Sequence, residues 1–358
     1  MKPFFCAIAN KQAGEDLIGT ASQYQTYVLI ECPLPWAAKA FSSSIIPLTL
    51  RQYINQIKSE QSVQFLCIHR GQSNDFDQTT VLIYEQSVTS LGGVVDNAYQ
   101  FASHYRGYEF TLSGLDAVVS FLEDYWEGQR IGRIITEQDV LICTHGMRDK
   151  CCARFGQPLF IQAKQMASSG KLSSVRPWKT SHIGGHRFAP TAITFPDGRY
   201  YGRLSPENLQ AVLTRHGPVS RLKEIYRGWG LLPAPLQIAE RIFFLNNGWV
   251  WLDCEVSYRL LTTATEQRPP IVVANDETSM ASENTPIEAE FAIHWRNGNI
   301  RTYALRLARD LERTTCVQAS CSSALPTPVT KYALLDCREI EPVVSTTNAR
   351  AESSSLGK

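Results

Sequence analysis

The first 130 residues combine short apolar runs with amphipathic segments, a pattern that predicts a mixed α/β domain. Residues 27–31 and 63–68 are rich in β-branched and aromatic side chains, which favour strands. Residues 48–57 and 115–126 instead place apolar side chains at helical intervals. We therefore predict an N-terminal α/β domain over residues 1–130.

Residues 136–219 continue the mixed pattern in the order strand, helix, three strands, helix. The run Pro196-Asp197-Gly198 supplies a hairpin turn, and Ser205 followed by Pro206 is a typical helix start. The predicted segments are residues 139–143, 152–166, 175–182, 191–195, 199–204 and 206–216. This β-α-β-β-β-α order is typical of a thioredoxin-like domain, and we interpret the N-terminal domain as a degenerate copy of the same unit.

The remaining chain is predicted to be helical first and β-rich afterwards. Residues 237–245 have helical spacing, and the apolar run at residues 249–252 opens the β-rich part of a smaller C-terminal region, residues 220–345. Residues 346–358 consist mainly of Ser, Thr, Ala and charged side chains, which is typical of a disordered tail.

Charge and hydropathy exclude several function classes. The 358 residues include 35 Lys and Arg against 34 Asp and Glu, so no basic surface argues for nucleic acid. No apolar run reaches the length of a membrane span, and the apolar stretch after Met1 is too short for a signal peptide. Ten cysteines in so long a chain are too sparse for a secreted disulfide scaffold. We therefore expect a cytoplasmic protein whose clustered cysteines serve metal or redox roles.

Two cysteines and two histidines have the spacing of a metal centre. Cys143 ends a predicted strand and Cys152 opens a predicted helix, while His182 and His186 flank two glycines that permit a tight turn. Thiolates and imidazoles are the ligands that zinc and iron–sulfur clusters select. Buried cysteines and hydrogen-bonded histidines also occur without any metal. Two such pairs in one unit, each beside a strand, favour the metal site.

Three kinds of centre compete for these four side chains. Structural zinc binds Cys2His2 sets, although its cysteines are usually closer together in sequence. A Rieske centre uses two Cys-x-His loops, and Cys143-Thr144-His145 imitates one of them without a second. A 2Fe-2S cluster with the cysteines on one iron and the histidines on the other is the third. Spacing leaves all three open.

Longer motifs around these residues resemble the sucrase/ferredoxin-like family. They are Cys-Thr-His-Gly-x-Arg-Asp-x-x-Cys at residues 143–152, Ser-His-Ile-Gly-Gly-His-Arg-Phe-Ala at 181–189 and Pro-Asp-Gly-Arg-Tyr-Tyr-Gly-Arg-Leu-Ser-Pro-Glu-Asn at 196–208, with weaker matches at 19–21, 226–228 and 232–233. The resemblance implies a thioredoxin-like ferredoxin domain that holds a 2Fe-2S cluster. Its implied ligands are Cys143, Cys152, His182 and His186.

The resemblance also implies a one-electron carrier rather than an enzyme, with redox donor and acceptor proteins that the sequence does not name. No carboxylate pair in a sugar-cleaving context supports a sucrase activity. An imidazole bound through one nitrogen leaves the other free to protonate, so electron uptake is expected to couple to a proton. The alternative is a structural zinc protein that uses the same four ligands.

Several neighbouring residues complete the expectations. Arg148, Asp149 and Arg187 flank the proposed cluster and are expected either to tune its potential or to form loop salt bridges. Cys151 is expected to be a substitute for Cys152 or a buried neighbour. The remaining cysteines are interpreted as buried side chains or weak ligand candidates, among them Cys6, Cys316 and Cys321.

Overall fold

The structure is a computed structural model that describes residues 4–71, 77–87, 99–170, 172, 174–261, 285–323 and 325–341. The predicted tail, residues 346–358, lies outside them. Within the described ranges, none of the helices is long and apolar enough to cross a membrane.

The described residues form seven α-helices and fifteen strands. The helices are α1 (Cys6–Gln12), α2 (Leu48–Glu60), α3 (Val118–Trp126), α4 (Lys150–Ser168), α5 (Pro206–Thr214), α6 (Leu222–Ile225) and α7 (Ala234–Asn247). The strands are β1 (Thr26–Glu31), β2 (Val63–His69), β3 (Thr79–Gln86), β4 (Gln100–Ala102), β5 (Tyr105–Leu112), β6 (Arg133–Ile134), β7 (Gln138–Cys143), β8 (Val175–Thr180), β9 (Ala192–Phe195), β10 (Arg199–Tyr201), β11 (Tyr226–Trp229), β12 (Glu255–Leu260), β13 (Ile287–His294), β14 (Ile300–Val317) and β15 (Thr327–Ile340).

Ten strands form one mixed sheet in the order β11-β10-β9-β7-β8-β2-β1-β3-β5-β6. In the second half of the chain, β7 pairs parallel to β8 and antiparallel to β9, which pairs antiparallel to β10. In the first half, β1 pairs parallel to β2 and antiparallel to β3, which pairs antiparallel to β5. Each half also has a crossover helix, α2 or α4, and a closing helix, α3 or α5. The two halves therefore share one order and one pairing pattern.

The two halves meet where β2 and β8 pair antiparallel, through residues 68–69 and 179–180. Ser181, just after β8, adds two bonds across this seam. Its N–H donates to the carbonyl oxygen of Cys67 at 2.8 Å, and its hydroxyl oxygen accepts the N–H of Cys67 at 3.1 Å. The seam therefore ends at the loop that carries the first candidate histidine.

The core lies on both faces of the large sheet. Side chains along a strand point to alternate faces, and in β1 residues on both faces are fully buried, as Leu29 and Ile30 show. Ile30 packs in a cluster that α2 and α3 cover. Leu29 belongs to a larger cluster that continues beneath the second half, α7 and the C-terminal strands.

A second sheet of five strands has the order β15-β14-β13-β12-β4, and all of its pairs are antiparallel. The strand predicted to open this region at residues 249–252 is wrong, because Gly248–Asp253 is a 3-10 helix. The indole N–H of Trp251 donates to the buried carboxylate of Glu240 at 2.7 Å, so the tryptophan points into the core.

The mixed α/β class is confirmed, and so is the predicted order within residues 136–219. There β7, α4, β8, β9, β10 and α5 follow one another. Ser205 caps α5, since its hydroxyl oxygen accepts the N–H of Asn208 at 3.2 Å. The domain boundaries at residues 130, 136 and 219 stay predictions.

Candidate metal centre

Close packing between α4 and β7 brings the two candidate cysteines together. Cys143 is the last residue of β7, and Cys152 lies in the first turn of α4. A Cβ atom at Gly156 would lie only 2.0 Å from the carbonyl oxygen of Cys143, so glycine alone permits this approach. Both thiols are about 1% exposed. The helix thus presses one thiol against the other in a buried position.

The two histidines come from the loop after β8. Gly184 and Gly185 have φ angles of 75° and 69°, in the left-handed region that favours glycine. This turn brings the rings together, with 3.3 Å between Nε2 of His182 and Nδ1 of His186. Both rings are half-buried. The loop therefore presents two neighbouring imidazoles to one place.

Three of the four candidate ligands converge, and the fourth lies beside one of them. The Sγ atom of Cys152 lies 3.9 Å from Nδ1 of His182. Cys143, Cys152 and His182 each offer one donor atom, and these atoms lie within 4.8 Å of one another. His186 lies outside this group and touches it through its Nδ1 atom, which is 3.3 Å from Nε2 of His182. The thiols adjoin each other and the imidazoles adjoin each other.

The electrostatics favour ligand forms of these groups. A hydrogen bond from Cys152 lowers the pKa of the Cys143 thiol well below its usual range, although burial opposes this. The same bond, together with burial, raises the pKa of Cys152 well above its usual range. Burial, and next the charge of His182, lowers the pKa of His186 to about 4. The hydrogen bond therefore favours the thiolate form of Cys143 and burial favours the neutral imidazole of His186, which are the forms that bind metals.

His145 supports the site and is not turned toward it as a ligand. Its Nδ1 accepts the backbone N–H of His182 at 3.2 Å, so its other nitrogen carries the proton. That nitrogen, Nε2, donates to the carbonyl oxygen of Ala37 at 2.7 Å. Both ring nitrogens are thus occupied in holding the histidine loop. His145 is therefore not free to act as the histidine ligand of a Rieske-type Cys-x-His loop, which the sequence Cys143-Thr144-His145 imitates.

Arg227, a residue of β11, anchors the same loop from the other side. Its guanidinium donates to the carbonyl oxygens of Gly184 at 3.1 Å and Thr20 at 2.6 Å. A Cβ atom at Gly185 would lie 2.6 Å from the central carbon of this guanidinium. Burial lowers the pKa of Arg227 to about 10. The turn between the histidines therefore depends on a residue 41 positions further along the chain than His186.

The donor set fits a soft metal centre. The Nε2 atom of His186 is buried and has no hydrogen-bond partner within the described part of the chain, the nearest carboxylate oxygen being Oδ2 of Asp149 at 3.9 Å. A buried polar atom without a partner is costly unless a ligand satisfies it. Two thiols and two imidazoles are donors that a 2Fe-2S cluster and a zinc ion both accept.

The family model described as sucrase/ferredoxin-like matches residues 17–228, more than half of the chain. The chain belongs to the sucrase/ferredoxin-like family. The matched span includes the cysteine loop, the histidine loop and Arg227. The part of the chain that matches the sucrase/ferredoxin-like family thus includes every residue of the candidate centre.

Curated relatives match a shorter part of the chain. A protein of Meyerozyma guilliermondii called Altered inheritance of mitochondria protein 32 is 35% identical over 102 residues, which are 26% of this chain and 36% of that protein. The protein of the same name from Debaryomyces hansenii is 33% identical over 116 residues, 29% of this chain and 41% of that protein. The chain thus matches only 36–41% of the length of these two relatives. A thioredoxin-like [2Fe-2S] ferredoxin from Aquifex aeolicus is 21% identical, with a TM-score of 0.20, over 24% of this chain and 87% of the ferredoxin.

The charged neighbours of the centre have distinct partners in this sucrase/ferredoxin-like chain. Arg187 pairs with the buried carboxylate of Glu15 at 3.0 Å, so it is a salt bridge of the loop. Asp149 caps α4 by accepting the N–H of Cys151 at 2.8 Å, and it lies 3.9 Å from Nε2 of His186. Asp149 is therefore the charged residue placed to act on a candidate ligand.

Sequence reasoning missed the surroundings of Cys151. Its thiol turns away from the four candidate ligands and contacts the thiols of Cys6 and Cys321, 145 and 170 positions distant. No local spacing connects residues so far apart, so only the high cysteine count of the chain hinted at them. Cys151 is a buried neighbour of Cys152, but one with partners of its own.

Proposed function

We propose that this protein transfers electrons through one 2Fe-2S cluster held by Cys143, Cys152, His182 and His186. The observation that carries the proposal is the convergence of the buried thiols of Cys143 and Cys152 with the imidazole of His182, beside which the ring of His186 lies. Such a cluster supplies reversible one-electron reduction. A thioredoxin-like ferredoxin fold for the second half belongs to the same proposal, and the family membership supports it.

The protein's own residues would set how the centre works. The thiols are buried, whereas the imidazoles reach the surface, so electrons would enter and leave on the histidine side. Neutral imidazoles donate less negative charge than thiolates, which makes reduction easier. Rieske centres, with the same ligand types, span about −150 to +300 mV. We place the contact surface for unidentified donor and acceptor proteins around His182 and His186.

The visible and paramagnetic spectra of the anaerobically purified protein test the proposal. We expect two iron atoms and two sulfides per chain, which the definition of a 2Fe-2S centre requires, with a brown oxidised form and a paramagnetic reduced form. Replacing His186 by cysteine should keep the cluster, shift its spectrum and lower its potential, because a thiolate adds negative charge. An unchanged spectrum in that variant would remove His186 from the ligand set.

A structural zinc ion in the same place is the alternative. It is favoured by the donor atoms of Cys143, Cys152 and His182, which lie within 4.8 Å of one another, as donors around a single ion do. Colourless protein with zinc that is lost when Cys143 is replaced would establish this alternative. Iron with inorganic sulfide in the same preparation would reject it.

Electron uptake should couple to a proton at one of the imidazoles. The ring of His186 is 16% exposed, so water reaches the histidine side of the centre. Reduction adds negative charge beside the rings and raises the affinity of an unbound ring nitrogen for a proton. The imidazole has one pKa in the oxidised protein and a higher pKa in the reduced protein. Between these two values we expect the midpoint potential to fall by about 59 mV for each unit of rising pH. A potential that stays constant from pH 5 to pH 10, by spectroelectrochemical titration, would reject the coupling.

We further infer that the N-terminal half is a duplicated thioredoxin-like unit that has lost its ligands. The shared strand order supports this inference. By register, Glu31, which pairs with Ile68, holds the position that Cys143 holds opposite Thr180.

The predicted cytoplasmic location stays a prediction. The relatives' name refers to mitochondria and offers the alternative location, and fractionation of cells from the source organism distinguishes the two.

A further inference from the structure

Three cysteines from distant parts of the chain form a second thiol cluster beside the candidate centre. Cys6 begins α1, Cys151 lies in the first turn of α4, and Cys321 follows β14. Their sulfur atoms form a triangle with sides of 3.6 Å between Cys6 and Cys151, 3.2 Å between Cys151 and Cys321, and 3.5 Å between Cys321 and Cys6. The thiols of Cys6 and Cys151 are fully buried.

Asp149 supplies a fourth donor to this triangle. Its Oδ1 lies 4.0 Å from the sulfur of Cys6, and the four donor atoms lie within 4.8 Å of one another. Oδ1 accepts the N–H of Cys151 at 2.8 Å, and Oδ2 accepts the N–H of Cys321 at 2.9 Å and the hydroxyl of Ser320 at 3.3 Å. Oδ1 also accepts the thiol proton of Cys6, and loss of that proton on metal binding frees this acceptor position for a cation.

A metal explains this arrangement better than a disulfide does. Zinc–sulfur bonds of about 2.3 Å in a tetrahedron place sulfurs about 3.8 Å apart, so the triangle needs to open by only a few tenths of an ångström. A disulfide needs the nearest pair to close by more than 1 Å to about 2.05 Å, and it leaves the third thiol unpaired. A carboxylate oxygen beside three thiols also favours zinc over the softer Cu(I).

We propose that Cys6, Cys151, Cys321 and Asp149 bind one structural zinc ion. The ion joins α1, the start of α4 and the turn after β14, three segments that are remote in sequence. Successive residues of a helix point about 100° apart, so Cys151 serves this site while Cys152 serves the candidate centre. Asp149 lies between the two sites, since its Oδ2 is 3.9 Å from His186.

The test measures zinc in the full-length protein and in matched variants. Zinc in the native protein is counted by elemental analysis, and anaerobically reduced apoprotein of the Cys143→Ala variant, which lacks a ligand of the candidate centre, is titrated with Zn²⁺ alone. We expect one tightly bound zinc per chain. Cys6→Ala and Cys321→Ala should each weaken zinc binding more than about 100-fold, since even the loss of an outer partner of a metal ligand costs 10–100-fold. Cys316→Ala, at an exposed cysteine of β14, is the control and should bind zinc unchanged.

Two further measurements distinguish zinc at the second site from zinc at the candidate centre and from a failure of a variant to fold. Cys143→Ala should retain this zinc, which separates the second site from zinc bound at the candidate centre. X-ray absorption at the zinc edge of the unmodified protein should show three sulfurs at about 2.3 Å and an oxygen at about 2.0–2.2 Å, and it needs no variant to fold. Three freely titrating thiols without zinc, or a Cys151–Cys321 disulfide in the native protein by mass spectrometry, would overturn the proposal.

Discussion

Replacing Cys152 by alanine should abolish the visible absorption of the purified protein, whereas replacing its neighbour Cys151 should preserve it. The two thiols are adjacent in sequence and equally buried. Cys152 contacts the Nδ1 atom of His182, but Cys151 contacts Cys6 and Cys321. Loss of a direct ligand removes more affinity than the 10–100-fold that an outer partner contributes. Iron, sulfide and the visible spectrum, measured together on both variants, distinguish the two roles.

The zinc content of the Cys151→Ala and Cys152→Ala variants should change in the opposite way to their visible absorption. Cys151→Ala loses a proposed zinc ligand and should lose the zinc, while Cys152→Ala should keep it. Each variant thus serves as the matched control of the other. A brown, iron-containing Cys152→Ala protein would show that Cys151 replaces Cys152 as a ligand, against the placement of its thiol.

Replacing Gly156 by alanine should both destabilise the protein and disturb the candidate centre. Alanine is the better helix former by about 1 kcal/mol. Its Cβ atom, however, would lie 2.0 Å from the carbonyl oxygen of Cys143, a backbone atom at the end of a central strand. Overpacking of this kind typically costs about 1–3 kcal/mol, and relief requires α4 to move away from β7. We expect a lower urea midpoint and a reduced cluster content.

Gln162→Ala is the control for this substitution, because Gln162 is an exposed residue of the same helix. It should change the free energy of unfolding by no more than about 0.5 kcal/mol and leave the visible spectrum unchanged. If Gly156→Ala proved as stable as the unmodified protein, with a full cluster, the close packing of α4 on β7 would not be what holds the two thiols together.

The candidate ligands were accessible to sequence reasoning because their signals are local. Each pair lies within ten residues beside a predictable strand or turn, as Cys143 and Cys152 show. The residues that hold the ligands were not accessible, since only tertiary packing brings Arg227 to the histidine loop and Ala37 to His145. Cys6 and Cys321 are 315 positions apart, and their thiols meet because α1 and the turn after β14 pack on the same end of α4.

The fold shows the same division between local and distant information. Alternation and turn residues predicted β7 to α5 well, because hairpin turns and helix caps are encoded by neighbouring residues. The apolar run around Trp251 misled because a buried tryptophan fits a 3-10 helix as well as a strand. The pairing of β2 with β8 has no local signature, since it depends on two short stretches more than 100 residues apart.

The pairing of β2 with β8 also determines whether the second half of the chain can work without the first. Ser181 exchanges two hydrogen bonds with Cys67, and the next residue is His182, so the first half of the chain holds the backbone that presents the imidazoles. Excised from the chain, the second half would expose β8 as an unprotected edge strand, which invites association with other chains. The second half is therefore not expected to work when it is separated from the first, and any recombination of this gene that divides the halves should also disrupt the proposed metal centre.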